Sequence, residues 1–301
     1  MSKECTWLLD HRRDVYSQTG EDGIIEAILE TLPQTDGWCV EFGAWDGLVY
    51  TNSRNLIENK KYSAVLIEAA RDRFIDLRRN YADRGNVYPM HRFVGFAPDD
   101  NLDSILKETP IPLDFDFLSI DIDGNDYHVW KAFSKYRPKA IVIEFNSTIP
   151  THIPFVQPAD PSVNQGSSLL SMVELGQAKG YELVCVTQFN AFFVRKEYYS
   201  FFDITNNSPE VLRKDLSMIT SMFVGFDGKI FLHGGCQLPW HETPIRAEKL
   251  QYLPKYLRRY PGNYTCFDKI VFAIWLIRED PRRLANEICI RFGRLLAKQN
   301  S

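Results

Sequence analysis

Two acids two positions apart, Asp121 and Asp123, close the apolar run LSIDID just before Gly124, and Glu144 and Asn146 repeat that spacing in IVIEFN. Residues two apart on a strand share a face, so four oxygen-bearing side chains are expected to converge where two neighbouring strands end. Two carboxylates held side by side push one pKa up, so either a cation joins them or one keeps a proton for use. Oxygen-only donors suit a hard cation such as Mg2+ or Mn2+, with Asp121, Glu144 and Asn146 as candidate ligands. In the metal-free alternative Asp123 or a histidine takes the proton. His152 is the histidine to consider, because it sits in the Pro-rich stretch 147–167, and connections of about twenty residues inside a compact domain are usually functional. Gln157, Asn164 and Gln165 in the same stretch are candidates for touching substrate. His128 is expected in a surface or capping role, and His91 packed or near a bound base.

A second constellation lies upstream. VEFGAWDG puts Glu41, Gly43, Ala44 and Gly47 at the end of an apolar run and before a helix. Small residues at such a turn let a ligand approach the backbone closely. The acid at 41 suits a cationic group, and a phosphate-binding loop would avoid it; with no GK[ST] in the chain, a P-loop is excluded. Glu68 closes the next apolar run roughly twenty-five residues on, where an acid can accept both hydroxyls of a ribose. Together these features favour an adenosyl sulfonium, S-adenosylmethionine, over ATP or NAD. Asp121 is counted with the cofactor positions as well as with the metal.

The elements that must hold these residues alternate. Short β-branched runs at 38–44, 63–69, 87–94, 115–123 and 140–146 read as buried parallel strands, and helices are expected near 20–32, 52–60, 70–81, 100–108, 126–135 and 168–179. YELVCVTQ and AFFVRKEYY are separated only by Phe189 and Asn190, too little for a crossover helix, so they form an antiparallel hairpin. The fold class is α/β: a doubly wound, mostly parallel, Rossmann-like sheet closed by that hairpin, as in class I methyltransferases, whereas a dehydrogenase domain continues with a sixth parallel strand. A further hairpin, MFVGFDGKIFLHG, turns at Asp227 and Gly228 and is expected to extend the sheet or cap its edge. Residues 1–200 are read as the cofactor-binding domain and 201–301 as an appendage of hairpin and helices. A helix starting at Asp280 and Pro281 carries Leu284, Ile288, Phe292 and Leu295 opposite basic residues, a stripe expected to dock on its own domain or on a second subunit.

Composition narrows the partners. The chain has 301 residues, 45% hydrophobic and 25% charged, which fits a globular fold rather than a disordered one. A net charge of -4 gives no global drive toward nucleic acid, although residues 242–301 carry more Lys and Arg than acids. Six scattered cysteines without CxxC spacing suggest reduced thiols in the cytoplasm. The N-terminus shows no secretory signal pattern. The longest apolar run, 270–277, is too short to cross a bilayer.

YSQTGEDGIIEAIL, VEFGAWDG, LIEA, LSIDIDGNDYHVW and IVIEFN, in this order and at these distances, resemble the FkbM-type methyltransferase family over about residues 14–197. The resemblance implies S-adenosylmethionine as cofactor and O-methylation of a sugar or similar hydroxyl, with Gln18, Glu41, Gly43, Gly47 and Glu68 on cofactor positions. The acids at the fourth strand end are also similar to those of metal-dependent sugar O-methyltransferases. Carried over, Asp121 becomes a metal ligand, Asp123 the base and Glu144 a second ligand. The chain departs from that group in having EFN rather than adjacent acids at the fifth strand. FkbM-like relatives commonly have Glu where Asp123 stands. A noncatalytic module that keeps the fold to bind a glycan or a partner protein, and a dehydrogenase, are the competing readings; intact Gly43, Gly47, Glu68, Asp121 and Asp123 count against the first and the absence of GxGxxG against the second.

Overall fold

A computed structural model describes residues 4–279 of the chain. The amphipathic stripe expected from Asp280 to Leu295 lies outside the described residues. The chain divides into two compact units, Met1–Ile219 and Thr220–Ser301.

In the first unit the expected alternation is present: α1 (Glu21–Thr31), β1 (Trp38–Phe42), α2 (Arg54–Lys60), β2 (Ser63–Glu68), α3 (Arg71–Asn80), β3 (Val87–His91), α4 (Leu102–Leu106), β4 (Phe117–Ile120), α5 (Asp126–Ala132), β5 (Ala140–Glu144), α6 (Leu169–Ala178), β6 (Tyr181–Val186), β7 (Asn190–Arg195) and α7 (Pro209–Leu212). The seven strands form one sheet in the order β3-β2-β1-β4-β5-β7-β6. β1 to β5 pair in parallel, and β7 runs antiparallel to both β5 and β6. The closing hairpin therefore sits where its short connection requires. Sequence β1-β4 continuity explains the composition: central strands covered on both faces need near-continuous apolar runs, and Val40, Val65, Leu118 and Ile141 are all buried. β3 is the edge strand, the position in which Pro89 costs no ladder hydrogen bond.

The strand order reverses direction between the paired neighbours β1 and β4, so the connections leaving them run to opposite sides of the sheet, and an open α/β sheet leaves its crevice there. β4 is shorter than its apolar run suggests. It stops at Ile120 because the buried carboxylate of Asp126 accepts the backbone N–H groups of Ile122 (3.0 Å) and Gly124 (2.9 Å), and Asp123 takes a positive φ of 55°. Asp121 and Asp123 thus leave from a turn rather than from one strand face.

At the opposite end of the sheet, Asp116 is fully buried and accepts from the N–H groups of Asp36 and Gly37 and from Lys139 Nζ at 2.8 Å. Lys139 also reaches Asp36 at 2.6 Å. The partners offset the desolvation of each charge, and removing one strands the other.

In the second unit β8 (Thr220–Val224) and β9 (Ile230–Gly234) form a hairpin across Asp227 and Gly228, followed by the short strands β10 (Gln237–Leu238) and β11 (Thr243–Pro244) and the helix α8 (Cys266–Glu279). The hairpin is expected from sequence to extend the main sheet or cap its edge, and the first of these is corrected: β8 and β9 pair only with each other, as a separate two-stranded sheet. Their side chains do not alternate cleanly between apolar and polar, so nothing in the pattern fixes a sheet partner. No described helix is long and apolar enough to cross a membrane.

We predict that Lys139→Met lowers unfolding stability by about 3 kcal/mol, because Asp116 is left as an uncompensated buried charge. The double change Lys139→Met/Asp116→Leu should recover much of this, and chemical denaturation of both variants checks it.

Candidate active site

The crevice at the strand ends holds a cavity of about 260 Å³, lined among others by Gly43, Glu68, Phe93, Phe96, Asn125 and Asn164. Glu68 ends β2 with its carboxylate buried. One oxygen accepts the N–H of Trp45 at 2.8 Å and the other the N–H of Ala70 at 2.7 Å. A carboxylate has about four acceptor positions, so each oxygen of Glu68 keeps one for a ligand hydroxyl. Gly43 has φ 72°, and a Cβ there would lie 2.1 Å from the carbonyl oxygen of Asp121. Only glycine permits this approach of the chain after β1 to the chain after β4. Gly47, at φ 74°, lies under the Tyr81 ring, whose hydroxyl donates to the Gly47 carbonyl at 2.7 Å. Ala44 is buried in the same turn.

Glu41 has a different place. Its buried carboxylate accepts from the hydroxyls of Thr51 and Ser53 and from the N–H groups of Asn52 (2.9 Å) and Ser53 (3.2 Å). Three of these donors converge on one oxygen and the Asn52 N–H takes the other, and together they tie Glu41 to the loop entering α2. Burial raises its pKa, and the hydroxyl and amide donors oppose that shift. Gln18 is exposed on the loop before α1. That loop is ordered by Asp22, whose carboxylate accepts the N–H groups of Val15, Tyr16 and Ser17.

Beside the cavity, one carboxylate oxygen each from Asp121, Asp123 and Glu144 lie within 4.8 Å of one another. Asp121 is packed by protein on most sides yet open to solvent on one. Burial, then the neighbouring carboxylates of Asp126 and Asp123, raise its pKa well above the ordinary value. Glu144 is raised for the same reasons, burial first and Asp121 next. Asp126, fully enclosed behind them, is pushed up to about 6, again by burial first. Glu21 stands behind the nest and accepts from Thr187 and Asn190. No cation from the described residues enters this group, so it is a trap for protons or for a bound cation. Asn146 does not join it: its side-chain oxygen accepts from the N–H (3.0 Å) and hydroxyl (2.6 Å) of Thr148, and its amide donates to the carbonyl of Gln165.

The connection 147–167 is folded against the site. His128 Nε2 meets the carbonyl of Gln157 at 2.8 Å, Asn125 donates to the carbonyls of Asp160 and Val163, and Asn164 donates to the carbonyl of Asp123 at 3.0 Å. Arg213 holds the base of the loop through the carbonyls of Ser147 and Ile149. Gln157 is buried and clamps the loop from within, accepting from the N–H groups of Gln165 and Gly166. His152 is exposed on the loop and makes no hydrogen bond among the described residues. His91 stacks on Phe74 at the exposed end of β3, 5.0 Å between ring centres.

Residues 97–192, which include β4, β5, the nest and the loop, match the model of the methyltransferase FkbM domain. Over that stretch, about a third of its length, the chain is similar to the FkbM methyltransferase domain. Solved structures similar to it include those of several methyltransferases and of the [4+2]-cyclase SpnF. The CMeT domain of the citrinin polyketide synthase is 11% identical at a TM-score of 0.40, over 60% of this chain and 55% of that one. An S-adenosylmethionine-dependent methyltransferase from Aquifex aeolicus is 11% identical at 0.34, over 56% and 87%. Magnesium protoporphyrin IX methyltransferase from Synechocystis PCC 6803 is 9% identical at 0.39, over 58% and 81%. The chain spans little more than half of the citrinin domain. No curated protein matches it. The strand order by itself makes this a class I methyltransferase sheet.

Four residues at the site, Phe93, Phe96, Asp126 and Asn125, are given no role by sequence reasoning. Phe93 and Phe96 line the cavity from the connection after β3, and the signal for Phe93 is a bulky apolar residue left at a strand end. Asp126 is visible only as an acid in the first turn of α5. Asn125 falls inside LSIDIDGNDYHVW but is given no role there.

Because the folded-state pKa of Asp126 is raised from 3.8 to about 6, the associated stability is fully present below pH 3.8 and is lost as pH rises through about 6. In chelator, the methyltransferase should therefore melt at a higher temperature near pH 5 than near pH 8. Asp121→Asn should flatten that slope by removing one repelling carboxylate; an unchanged slope in thermal melts across pH would contradict the shared origin.

Proposed function

We propose that this methyltransferase transfers the methyl group of S-adenosylmethionine to a hydroxyl of a sugar or glycan precursor, in the cytoplasm. The observation that carries the reading is the adjacency of two differently built sites at the strand ends: the cavity with Glu68, and the nest of Asp121, Asp123 and Glu144. Glu68 accepts the ribose hydroxyls with the positions its two backbone donors leave free. Phe93, Val94 and Phe96 give the adenine an apolar wall. Gly43 lets the sulfonium end lie against the backbone, and the nearby carboxylates favour its positive charge. The free thiols among the described cysteines, two of them buried, support a reducing compartment.

The acceptor oxygen attacks the methyl carbon in line with the carbon–sulfur bond. That bond breaks, its electrons stay on sulfur, and the sulfonium becomes a neutral thioether. The acceptor hydroxyl gives its proton to Asp123, which the Asp126 turn holds at the mouth of the nest. Loss of the sulfonium charge would leave the carboxylates in mutual repulsion, and the transferred proton relieves it. A vicinal diol, the ordinary feature of a sugar, offers the acidic nest two donors at once.

The donor set also fits a hard cation. Three carboxylate oxygens within 4.8 Å of one another, all from oxygen ligands and two on groups with raised pKa, suit Mg2+ or Mn2+ held by Asp121, Asp123 and Glu144. Such an ion, when bound, supplies Lewis acidity that lowers the pKa of the acceptor hydroxyl. The ligand expected from sequence at Asn146 is replaced in this proposal by Asp123, since the Asn146 amide is engaged within the loop.

Calorimetric titration should show binding of S-adenosylmethionine and S-adenosylhomocysteine but not NAD, and Glu68→Ala should weaken both by about tenfold or more. Binding of NAD alone would end the proposal. With nucleotide sugars and glycan fragments in a homocysteine-release assay, Asp123→Asn should lower kcat by about 100-fold or more at unchanged donor affinity. Mg2+ or Mn2+ added after EDTA should restore turnover in the parent protein and not in Asp121→Ala. Turnover indifferent to chelation would leave Asp123 as base without a metal.

A further inference from the structure

The Thr220–Ser301 unit differs from the rest of the chain in charge and in what it shows to solvent. It contains thirteen Lys and Arg against seven Asp and Glu, a net charge of +6, whereas Met1–Ile219 contains twenty-two against thirty-two, a net charge of -10. Residues 280–301 contribute five of those cations and two of the acids. Many of the unit's described apolar side chains lie outside. On α8, Phe267, Ile270, Ile274 and Ile277 recur at helical spacing, and each is exposed, Phe267 to 72%. On another side of the same helix Phe272 and Trp275 stack on each other and meet Tyr264 and Tyr252. The helix is therefore anchored by one side and leaves an apolar ridge free. At the tip of the β8–β9 hairpin Phe226 is 92% exposed. The stretch from Tyr252 to Tyr260 interleaves three exposed tyrosines with exposed Lys255 and Arg259.

Exposed apolar rows of this extent mark an interaction surface. The centres of protein–protein interfaces are depleted of Lys, and here Lys249, Lys255 and Lys269 stand exposed in the same stretch of chain as the rings. That mixture matches an anionic bilayer, where Trp and Tyr sit at headgroup level, aliphatic side chains enter the acyl boundary and cations meet phosphate. The apolar run within α8, 270–277, is flanked by Lys269 on one side and Arg278 and Glu279 on the other, far short of the roughly 20 residues that span a bilayer, so on this reading the helix lies along the surface. We infer that the Thr220–Ser301 unit docks on the surface of an anionic lipid bilayer. The inference does not depend on the reaction proposed above, because the ridge, the rings and the cations all lie outside the methyltransferase site.

Flotation of the full chain with phosphatidylcholine vesicles, with and without about a third phosphatidylserine, tests it. Binding is expected with phosphatidylserine, little without it, and release as salt approaches about 1 M. Two variants carry the argument separately: Phe267→Asp/Ile270→Asp/Ile274→Asp removes the ridge, and Lys249→Glu/Lys255→Glu/Lys269→Glu reverses exposed charges. Each should lower vesicle affinity by at least about tenfold at an unchanged melting temperature of the first unit. No flotation at low salt, or equal binding to phosphatidylcholine alone, overturns the inference. So does a dimer in sedimentation that the ridge variant dissociates while the parent protein ignores vesicles, which would assign the ridge to a second copy.

Discussion

The carboxylate of Asp126 takes the backbone N–H groups of Ile122 and Gly124, and the reacting end of the molecule depends on the turn this fixes. Buried backbone donors must be satisfied, and at the end of β4 no neighbouring strand is left to satisfy them. An acid in the first turn of α5 does so and gains from the helix N-terminus. With the turn held, Asp123 can keep a left-handed backbone that costs a non-glycine residue about 1 kcal/mol or more. The same turn presents the Asp121 carbonyl to Gly43, and so locks the chain after β4 against the chain after β1.

That solution carries an electrostatic cost. A third and a fourth carboxylate, Asp123 and Glu144, stand beside Asp121 and the enclosed Asp126, and burial and mutual repulsion raise the pKa values of Asp121, Asp126 and Glu144 together. Nothing about stability favours such an arrangement, since an apolar strand end would bury better. Clustered carboxylates with raised pKa values, able to take up a proton or a cation, are a feature expected of a functional site, and the proposed transfer to a hydroxyl would use them so. The contrast with the Asp116–Lys139 pair at the other end of the sheet is instructive: there the buried acid has its countercharge within the protein, and the site does no chemistry.

Much of the fold was legible because its signals are local. Apolar runs bounded by turn residues located β1 to β5, and two residues between YELVCVTQ and AFFVRKEYY could only connect antiparallel neighbours. Side-chain partners were less legible, because identical residue types serve different ends. Glu41 and Glu68 both close apolar strands, yet Glu41 is tied to the loop before α2 by Thr51, Asn52 and Ser53, while Glu68 lines a cavity. The run TNS before α2 held that information as capping chemistry, and it reads as such only once the helix start is known. Asp121 and Asp123 came together as expected, although by a turn instead of strand alternation. The partners of Asn146 and Gln157 lie in the loop 147–167, whose conformation has no periodic signal.

That loop joins the two halves of the site. Pro161 and Asn164 line the cavity, and Asn164 also donates to the carbonyl of Asp123, so one short segment touches both the cavity and the turn beside the carboxylate nest. Its anchors are side chains of the fixed core: His128 and Asn125 reach it from α5 and its N-terminal cap, and Arg213 holds its base from beyond α7. A wall built from loop backbone bonded to helix side chains is specific in position yet cheaper to open than strand pairing, because only a few hydrogen bonds must be exchanged for water. A donor that enters and leaves on every turnover needs such a wall on one side of a sheet that itself does not move.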